Sequence, residues 1–350
     1  MEYRKLGRSD LRVSTICLGT MTWGRQNTQA DADRQLEYAL ARGINFLDTA
    51  EMYAIPPTAE TYGTTETIIG NWLGRNPEKR RELVLATKIA GNGLSWIRAG
   101  ADVTGAAVVD SVDASLRRLQ TDYIDLYQLH WPNRNSPHFG KHWPGRLRFS
   151  AMDAGRNREQ MLDILHGFAA CIEAGKIRYG GLSDETPWGI QQYLQLSQAH
   201  DLPQMVSIQN EFNLLHTKDW PYLIEHSVLS GLAYLPWSPL AGGVLTGKYL
   251  NGARPPGSRW TISQRNGLFR DQIQAHQAIA AYQEVADRYG MSLATLALAW
   301  VNQQDGVTAT IIGATSMAQL QEDIAAFEVV LSEEMLADIL TVLKRYPLPF

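Results

Sequence analysis

Eight short apolar runs rich in β-branched residues, each followed by a segment of helical period, constrain this chain more than any other feature. The runs are Ser14–Thr20, Phe46–Thr49, Leu83–Lys88, Tyr123–Trp131, Ile177–Ser183, Met205–Asn213, Gly231–Leu240 and Val307–Thr315. Such runs suit strands buried on both faces, and parallel strands need crossovers that helices supply. Helices are expected at Asp31–Arg42, Thr65–Leu73, Ala106–Leu119, Arg158–Ala174, Asp219–Leu229, Gln274–Tyr289 and Ser292–Gln303. Gly43 and Gly175 stand as helix-ending glycines, and Asp219 as an N-cap. Eight parallel strands close a barrel, so the chain reads as α/β, a (β/α)8 TIM barrel. Met1–Val13 reads as an N-terminal β-hairpin and Ser332–Arg345 as an extra C-terminal helix. An open doubly wound sheet would show the same alternation. A dinucleotide-binding sheet of that kind, however, carries G-x-G-x-x-G after its first strand, and Gly19 and Gly24 lack the spacing.

A chain of 350 residues would ordinarily suggest two domains, but barrels of this length commonly fold as one. No Pro/Ser-rich linker or repeat interrupts it, so residues 1–350 are expected to form a single domain. Hydrophobic residues make up 45 % and charged residues 19 %, an ordinary globular balance. A net charge of −4 offers no basic face for nucleic acid. No apolar run approaches the roughly 20 residues of a membrane span. The N-terminus lacks a signal-peptide core, and the expected location is cytoplasmic. The two cysteines, Cys17 and Cys171, sit in no C-x-x-C pattern, which argues against both a disulfide framework and a zinc site.

Asp48, Lys88 and His130 stand at or near the ends of successive predicted strands, and Tyr53 follows Asp48 in the next loop. Barrel geometry brings such ends to one mouth. Their chemistry is coherent for reducing a carbonyl, which takes hydride at carbon and a proton at oxygen. A tyrosine near pH 10 in its reference titration is a reluctant acid, and a neighbouring ammonium favours its anion. Lys88 can supply that field, and Asp48 can keep Lys88 charged in a dry site. A neutral His130 can donate to the carbonyl oxygen.

At these residues the chain resembles the aldo-keto reductase superfamily, and within it the bacterial Tas-type oxidoreductases, relatives of potassium-channel β subunits. The resemblance runs through LGTMTWG at Leu18–Gly24, FLDTAEMY at Phe46–Tyr53, LATK at Leu85–Lys88 and LHWP at Leu129–Pro132. It continues through GKIRYGGLS at Gly175–Ser183, SIQNEFN at Ser207–Asn213, PWSPLAGGVLTGKY at Pro236–Tyr249 and IIGAT at Ile311–Thr315. It implies a catalytic tetrad of Asp48, Tyr53, Lys88 and His130, with Tyr53 the general acid, and Tyr62 read as loop structure. It also implies an extended NADP(H) across the mouth, beside Gly19, Thr20, Met21 and Asp48. Ser183, Asp184 and Gln209 would hold the carboxamide, and Trp237 would stack on the nicotinamide. Ser238, Pro239, Leu240, Gly242 and Lys248 would line the pyrophosphate. Arg259, with Thr315, would favour NADPH over NADH. Gly313, Thr315, Gln319, Glu322 and Asp323 would surround the adenosine.

Many members carry Asn where this chain has Asp184 and Asp323, and an ionised carboxylate accepts but cannot donate. An ionised Asp184 aimed at the ring would favour the oxidised cofactor. Met21, Trp23 and Trp131 are expected to shape the pocket for a small-molecule carbonyl substrate. Insertions at Tyr53–Thr64 and Asn133–Asn157 follow strand ends, where barrel enzymes build their sites. His138 and His142 in the second read as surface-loop residues, with no metal. The alternative to turnover is an NADP(H)-binding redox sensor or regulatory subunit; a phosphate-binding barrel lyase or isomerase is more remote.

Overall fold

The computed structural model describes residues 1–262 and 268–350. Its strands are β1 Tyr3–Lys5, β2 Arg12–Ser14, β3 Ile16–Gly19, β4 Phe46–Asp48, β5 Val84–Ile89, β6 Ile124–Leu129, β7 Ile177–Ser183, β8 Ser207–Gln209, β9 Ala233–Tyr234 and β10 Thr310–Ile312. The helices are α1 Gln29–Ala41, α2 Thr64–Arg75, α3 Gly105–Leu119, α4 Ala154–Glu173, α5 Pro187–Ala199, α6 Tyr222–Leu229, α7 Arg259–Ile262, α8 Ile273–Arg288, α9 Leu293–Asn302, α10 Met317–Ala325 and α11 Glu333–Arg345. Strands β3 to β10 form one parallel eight-stranded sheet in the order β10-β3-β4-β5-β6-β7-β8-β9. Thr308 N donates to Tyr234 O and Ile311 N to Pro236 O, each at 2.9 Å, joining the two edges. The expected (β/α)8 barrel is thus present. The N-terminal hairpin, β1 against β2, and the C-terminal α11 are present as well.

Side-chain alternation along the strands makes two cores. One contains Leu18, Leu47 and Leu85 with apolar residues of the helices, while the other contains Cys17, Phe46, Val84, Ala86 and Leu126. Leu6, Leu11 and Val13 of the hairpin belong to this second cluster. One pleat further along from Phe46, Ala86 and Leu126 come Asp48, Lys88 and Gln128, so the period of two places these polar groups on the same side. An apolar plug therefore underlies a polar layer, and that layer faces the strand C-terminal ends.

Boundaries differ from the sequence reading where strands run into the mouth. The runs Met205–Asn213 and Gly231–Leu240 contribute only β8 and β9 as continuous strands; beyond them an isolated bridge, Glu211 to Trp237, carries the pairing on until the chain turns at Ser238, with φ 56°. Asp219 is not an N-cap: it lies before Pro221, the residue preceding α6, and accepts from Tyr234 Oη at 2.8 Å. Helix α5, which the sequence reading leaves out, starts with Thr186 accepting from Gly189 N and Pro187 in its first turn. Gly43 and Gly175, with φ 81° and 71°, end α1 and α4 as expected. The second insertion is shorter than Asn133–Asn157, since α4 begins at Ala154 under the Asp153 cap. Of the stretch 241–270 that follows β9, residues 263–267 lie outside the described residues.

The loop that carries Tyr53 is fixed by Glu51, which has no exposed surface. Its Oε1 accepts from Ala90 N at 2.6 Å and Arg98 Nη1 at 2.8 Å. Its Oε2 accepts from Ser111 Oγ and Tyr62 Oη, both at 3.1 Å. Its main chain donates to Lys88 O and accepts from Gly63 N. One residue thus ties the Tyr53 loop to Lys88, to Ala90 just beyond it and to α3. Glu51→Ala would strand the Arg98 guanidinium and three further donors, Ala90 N, Ser111 Oγ and Tyr62 Oη. The expected loss is about 2–3 kcal/mol, below that of a fully buried pair because Arg98 keeps some solvent. A lowered urea midpoint at unchanged denaturant slope would show it; an unmoved midpoint would refute the brace.

Candidate active site

Lys88 has no exposed surface, and its Nζ lies 2.6 Å from Asp48 Oδ2 and 2.8 Å from Thr49 O. The second Asp48 oxygen accepts from Gln209 Nε2 at 2.9 Å and Gln128 Nε2 at 3.3 Å. Burial works against the Lys88 charge, but Asp48, with Tyr53 and Cys17 adding to it, holds the ammonium above its ordinary range. Lys88 Nζ sits 5.3 Å from the centre of the Tyr53 ring. The His130 ring meets Tyr53 edge-on at 5.7 Å, and Trp131 packs against His130 at 5.0 Å. The four residues expected at successive strand ends therefore share one end of the barrel.

Their protonation partly departs from expectation. Burial pushes the Tyr53 phenol above its ordinary range and Lys88 only pulls against it, because Asp48 offsets the ammonium field. Tyr53 is accordingly a neutral proton donor. Burial, reinforced by Lys88, drives His130 well below the usual imidazole range, so this ring is neutral as expected. Its Nδ1 is buried with no partner among the described residues.

Around this group the expected contact residues fall into three sets. Gly19 ends β3, Thr20 Oγ1 donates to Asp48 O, and Met21 Sδ faces Arg259 Nη2 at 3.7 Å. A Cβ at Gly19 would meet Ile312 O at 2.8 Å, and one at Gly313 would meet Gly19 O at 3.6 Å, so bare backbone lines this junction. The second set is Ser183, Asp184, Gln209 and Trp237, at the ends of β7 to β9. Gln209 gives its amide nitrogen to Asp48 and Gln128, leaving Oε1 as the group free to accept. Asp184, with φ 49°, accepts from Trp237 Nε1 at 3.2 Å. Only 2 % of its surface is exposed, and burial pushes its carboxyl well above the usual range. The expectation of an ionised Asp184 beside the cofactor ring is therefore corrected: desolvation favours the neutral acid.

The third set holds the cations. After Ser238, Pro239 and Leu240, the residues Ala241, Gly242 and Gly243 have φ 50°, 71° and 90°, a backbone that glycine adopts at little cost. Lys248 and Arg259 pack on this turn: a Cβ at Gly243 would meet Lys248 Nζ at 2.8 Å, and one at Gly242 would meet Arg259 Cδ at 3.4 Å. Neither cation forms an ion pair among the described residues. Burial, followed by Arg270, lowers Arg259 to about 10, which leaves it charged at neutral pH. Beyond β10, Thr315 N and Oγ1 donate to Gln319 Oε1, and Asn27 Nδ2 donates to Thr315 O. Glu322 accepts from Ser292 Oγ, and burial raises the Asp323 carboxyl to about 7.

Two further expectations fail. Trp23 does not line the mouth; it is 1 % exposed and gives its Nε1 to Gln35 in the outer core. His138 is not a surface residue; it is 7 % exposed, with Nδ1 3.5 Å from Asp184 Oδ1. Among the described residues no group of three His, Cys, Asp or Glu side chains is placed to hold a metal ion. No described helix is long and apolar enough to cross a membrane. Sequence reasoning missed Glu51 and Gln128. Both lay inside quoted or predicted segments, and a polar residue in an otherwise buried strand was the available signal for Gln128.

The model of the Aldo/keto reductase family matches residues 15–344. A protein of Escherichia coli (strain K12) described as Protein tas is 44 % identical over 352 residues, covering 100 % of this chain and 99 % of its own. The uncharacterized oxidoreductase YrpG of Bacillus subtilis (strain 168) is 32 % identical over 96 % of this chain and 94 % of its own. A probable voltage-gated potassium channel subunit beta of Arabidopsis thaliana is 30 % identical over 94 % and 92 %. With these matches spanning the same strand ends that gather Asp48, Tyr53, Lys88 and His130, the chain belongs to the aldo/keto reductase family of oxidoreductases.

Proposed function

We propose that this protein reduces a small-molecule aldehyde or ketone to the alcohol with NADPH, Tyr53 acting as general acid. One observation carries the reading: the half-buried Tyr53 phenol, the His130 imidazole and the Asp48-paired Lys88 converge at one end of the barrel. Tyr53 Oη gives its proton to the carbonyl oxygen. Lys88, held by Asp48 below the Tyr53 ring, stabilises the developing phenolate. His130 donates from a ring nitrogen to the same oxygen, orienting it and lowering the barrier. The NADPH nicotinamide would supply the hydride. Its phosphates fit the turn at Gly242 and Gly243, where Lys248 and Arg259 have no carboxylate partner among the described residues. The Trp237 face, Gln209 Oε1 and Ser183 would hold the nicotinamide, and Thr315 with the start of α10 the adenosine. A carbonyl substrate would reach Tyr53 past Trp131, which the absence of a Cβ at Gly91 lets close in.

A second reading, a regulatory subunit that holds the cofactor with little turnover, draws on the relative named as a potassium channel subunit beta. Oxidation of excess NADPH by a reactive aldehyde separates the two, because a sensor would stop at one equivalent.

Tyr53→Phe should abolish this turnover and leave NADPH affinity within about twofold, since the ring is kept and only the proton donor is lost. Turnover retained by the variant would sink the assignment. The pH dependence follows from the same groups. Tyr53 is protonated below its raised value and His130 neutral above its lowered one, so the reduction rate should stay flat from about pH 6 to about pH 9. Alcohol oxidation, which needs the Tyr53 anion, should instead rise across that range.

Arg259→Ala should weaken NADPH by about 1.5–3 kcal/mol and leave NADH nearly unchanged, since one charge-assisted contact to the extra phosphate is lost. Fluorescence titration with both cofactors reads the difference. Equal weakening would remove Arg259 from the 2′-phosphate.

A further inference from the structure

The insertion between β6 and α4 lays two adjacent residues on the barrel mouth, His138 buried and Phe139 55 % exposed. His138 is 7 % exposed, and its Nδ1 lies 3.5 Å from Asp184 Oδ1. Phe139 stacks on Trp237, with ring centres 5.8 Å apart and planes at 27°. Asp184 and Trp237 are themselves joined by the 3.2 Å hydrogen bond from Trp237 Nε1. The four residues therefore close a ring of contacts drawn from the insertion, the end of β7 and the loop after β9.

Two facts show that this is more than a loop lying down on a surface. Phe139 has φ 55°, a left-handed backbone that a bulky side chain adopts at a cost. Strain of this kind persists only where surrounding contacts enforce it, and it concentrates at functional sites. The His138 ring is also buried, although its Nε2 has no hydrogen-bond partner among the described residues. The insertion is anchored again further along, where Trp143 Nε1 donates to Phe350 O at 3.2 Å. It thus holds its inner residues against the barrel from a second point.

Resting on the cofactor reading above, we propose that His138 and Phe139 are positioning residues for the nicotinamide end of the cofactor, clamping the Trp237 indole and the Asp184 carboxyl. Without them, the indole would keep its packing on the inner apolar cluster and its single hydrogen bond to Asp184, and would lose its stacked partner. A stacking platform that swings costs affinity at the nicotinamide and leaves the adenosine and phosphate end, at Lys248, Arg259 and Thr315, untouched. The insertion would then work on the orientation of the reactive ring rather than as a cover over the whole mouth.

The test uses the full chain and two probes: NADPH, and 2′,5′-ADP, which carries the adenosine and its phosphate but no nicotinamide. Phe139→Ala and His138→Ala should each weaken NADPH about three- to ten-fold, the worth of an aromatic pair or one polar anchor, with 2′,5′-ADP unchanged within about twofold. Phe139→Tyr, which keeps the stacked face, should restore NADPH affinity. Unchanged NADPH affinity in both alanine variants overturns the proposal, and so does equal weakening of both probes, which would mean a general loosening of the fold. Wild-type protein that binds neither probe overturns the cofactor reading, and the clamp with it.

Discussion

The Lys88–Asp48 pair is the contact around which the rest of the site is arranged. Both side chains are buried, 2.6 Å apart, inside a parallel barrel. Withdrawing two such charges from water costs on the order of several kcal/mol per ion, and their attraction repays this only with good geometry and further hydrogen bonds. The fold supplies them. Lys88 adds Thr49 O, and Asp48 adds the amides of Gln128 and Gln209, so β4, β5, β6 and β8 all meet in one polar layer. That layer rests on Phe46, Ala86 and Leu126, whose apolar packing keeps water from approaching the pair from below.

From this pair the electrostatics of the mouth follow. Lys88 remains charged because Asp48 is there, and His130 remains neutral partly because Lys88 is there. Tyr53 feels a dipole rather than a bare cation, so burial prevails and its proton stays on. A proton donor, a hydrogen-bond donor and a stabilising charge are thus held in three defined states without a metal ligand set among the described residues. Across the mouth, Lys248 and Arg259 present charge of one sign with no carboxylate partner among the described residues. The two halves divide the work, one suited to proton transfer and the other to gripping an anion.

Much of this was legible in the chain itself. The period-two and helical patterns are local, so the eight strands, the hairpin and most helices could be read directly, and Gly43 and Gly175 marked their ends. Asp48, Tyr53, Lys88 and His130 were found because strand ends converge in any barrel. Boundaries near the mouth were not legible: β8 and β9 are far shorter than their apolar runs, since apolar residues also pack loops. Asp219 resembled a cap by type and position and proved to be the partner of Tyr234, a contact set by packing across the sequence.

The sequence by itself determined the barrel, the identity of the residues at its C-terminal end and their chemical types, because these depend on short-range periodicity and on where strands stop. Only the tertiary structure decided which way those residues are charged. The burial of Asp184, the neutral Tyr53 phenol, the inward turn of His138 and the stacking of Phe139 come from the dielectric and the neighbours of each side chain. Those neighbours are drawn from distant segments. A carboxyl in water and a carboxyl under an indole are the same letter in a sequence, and desolvation makes them different acids.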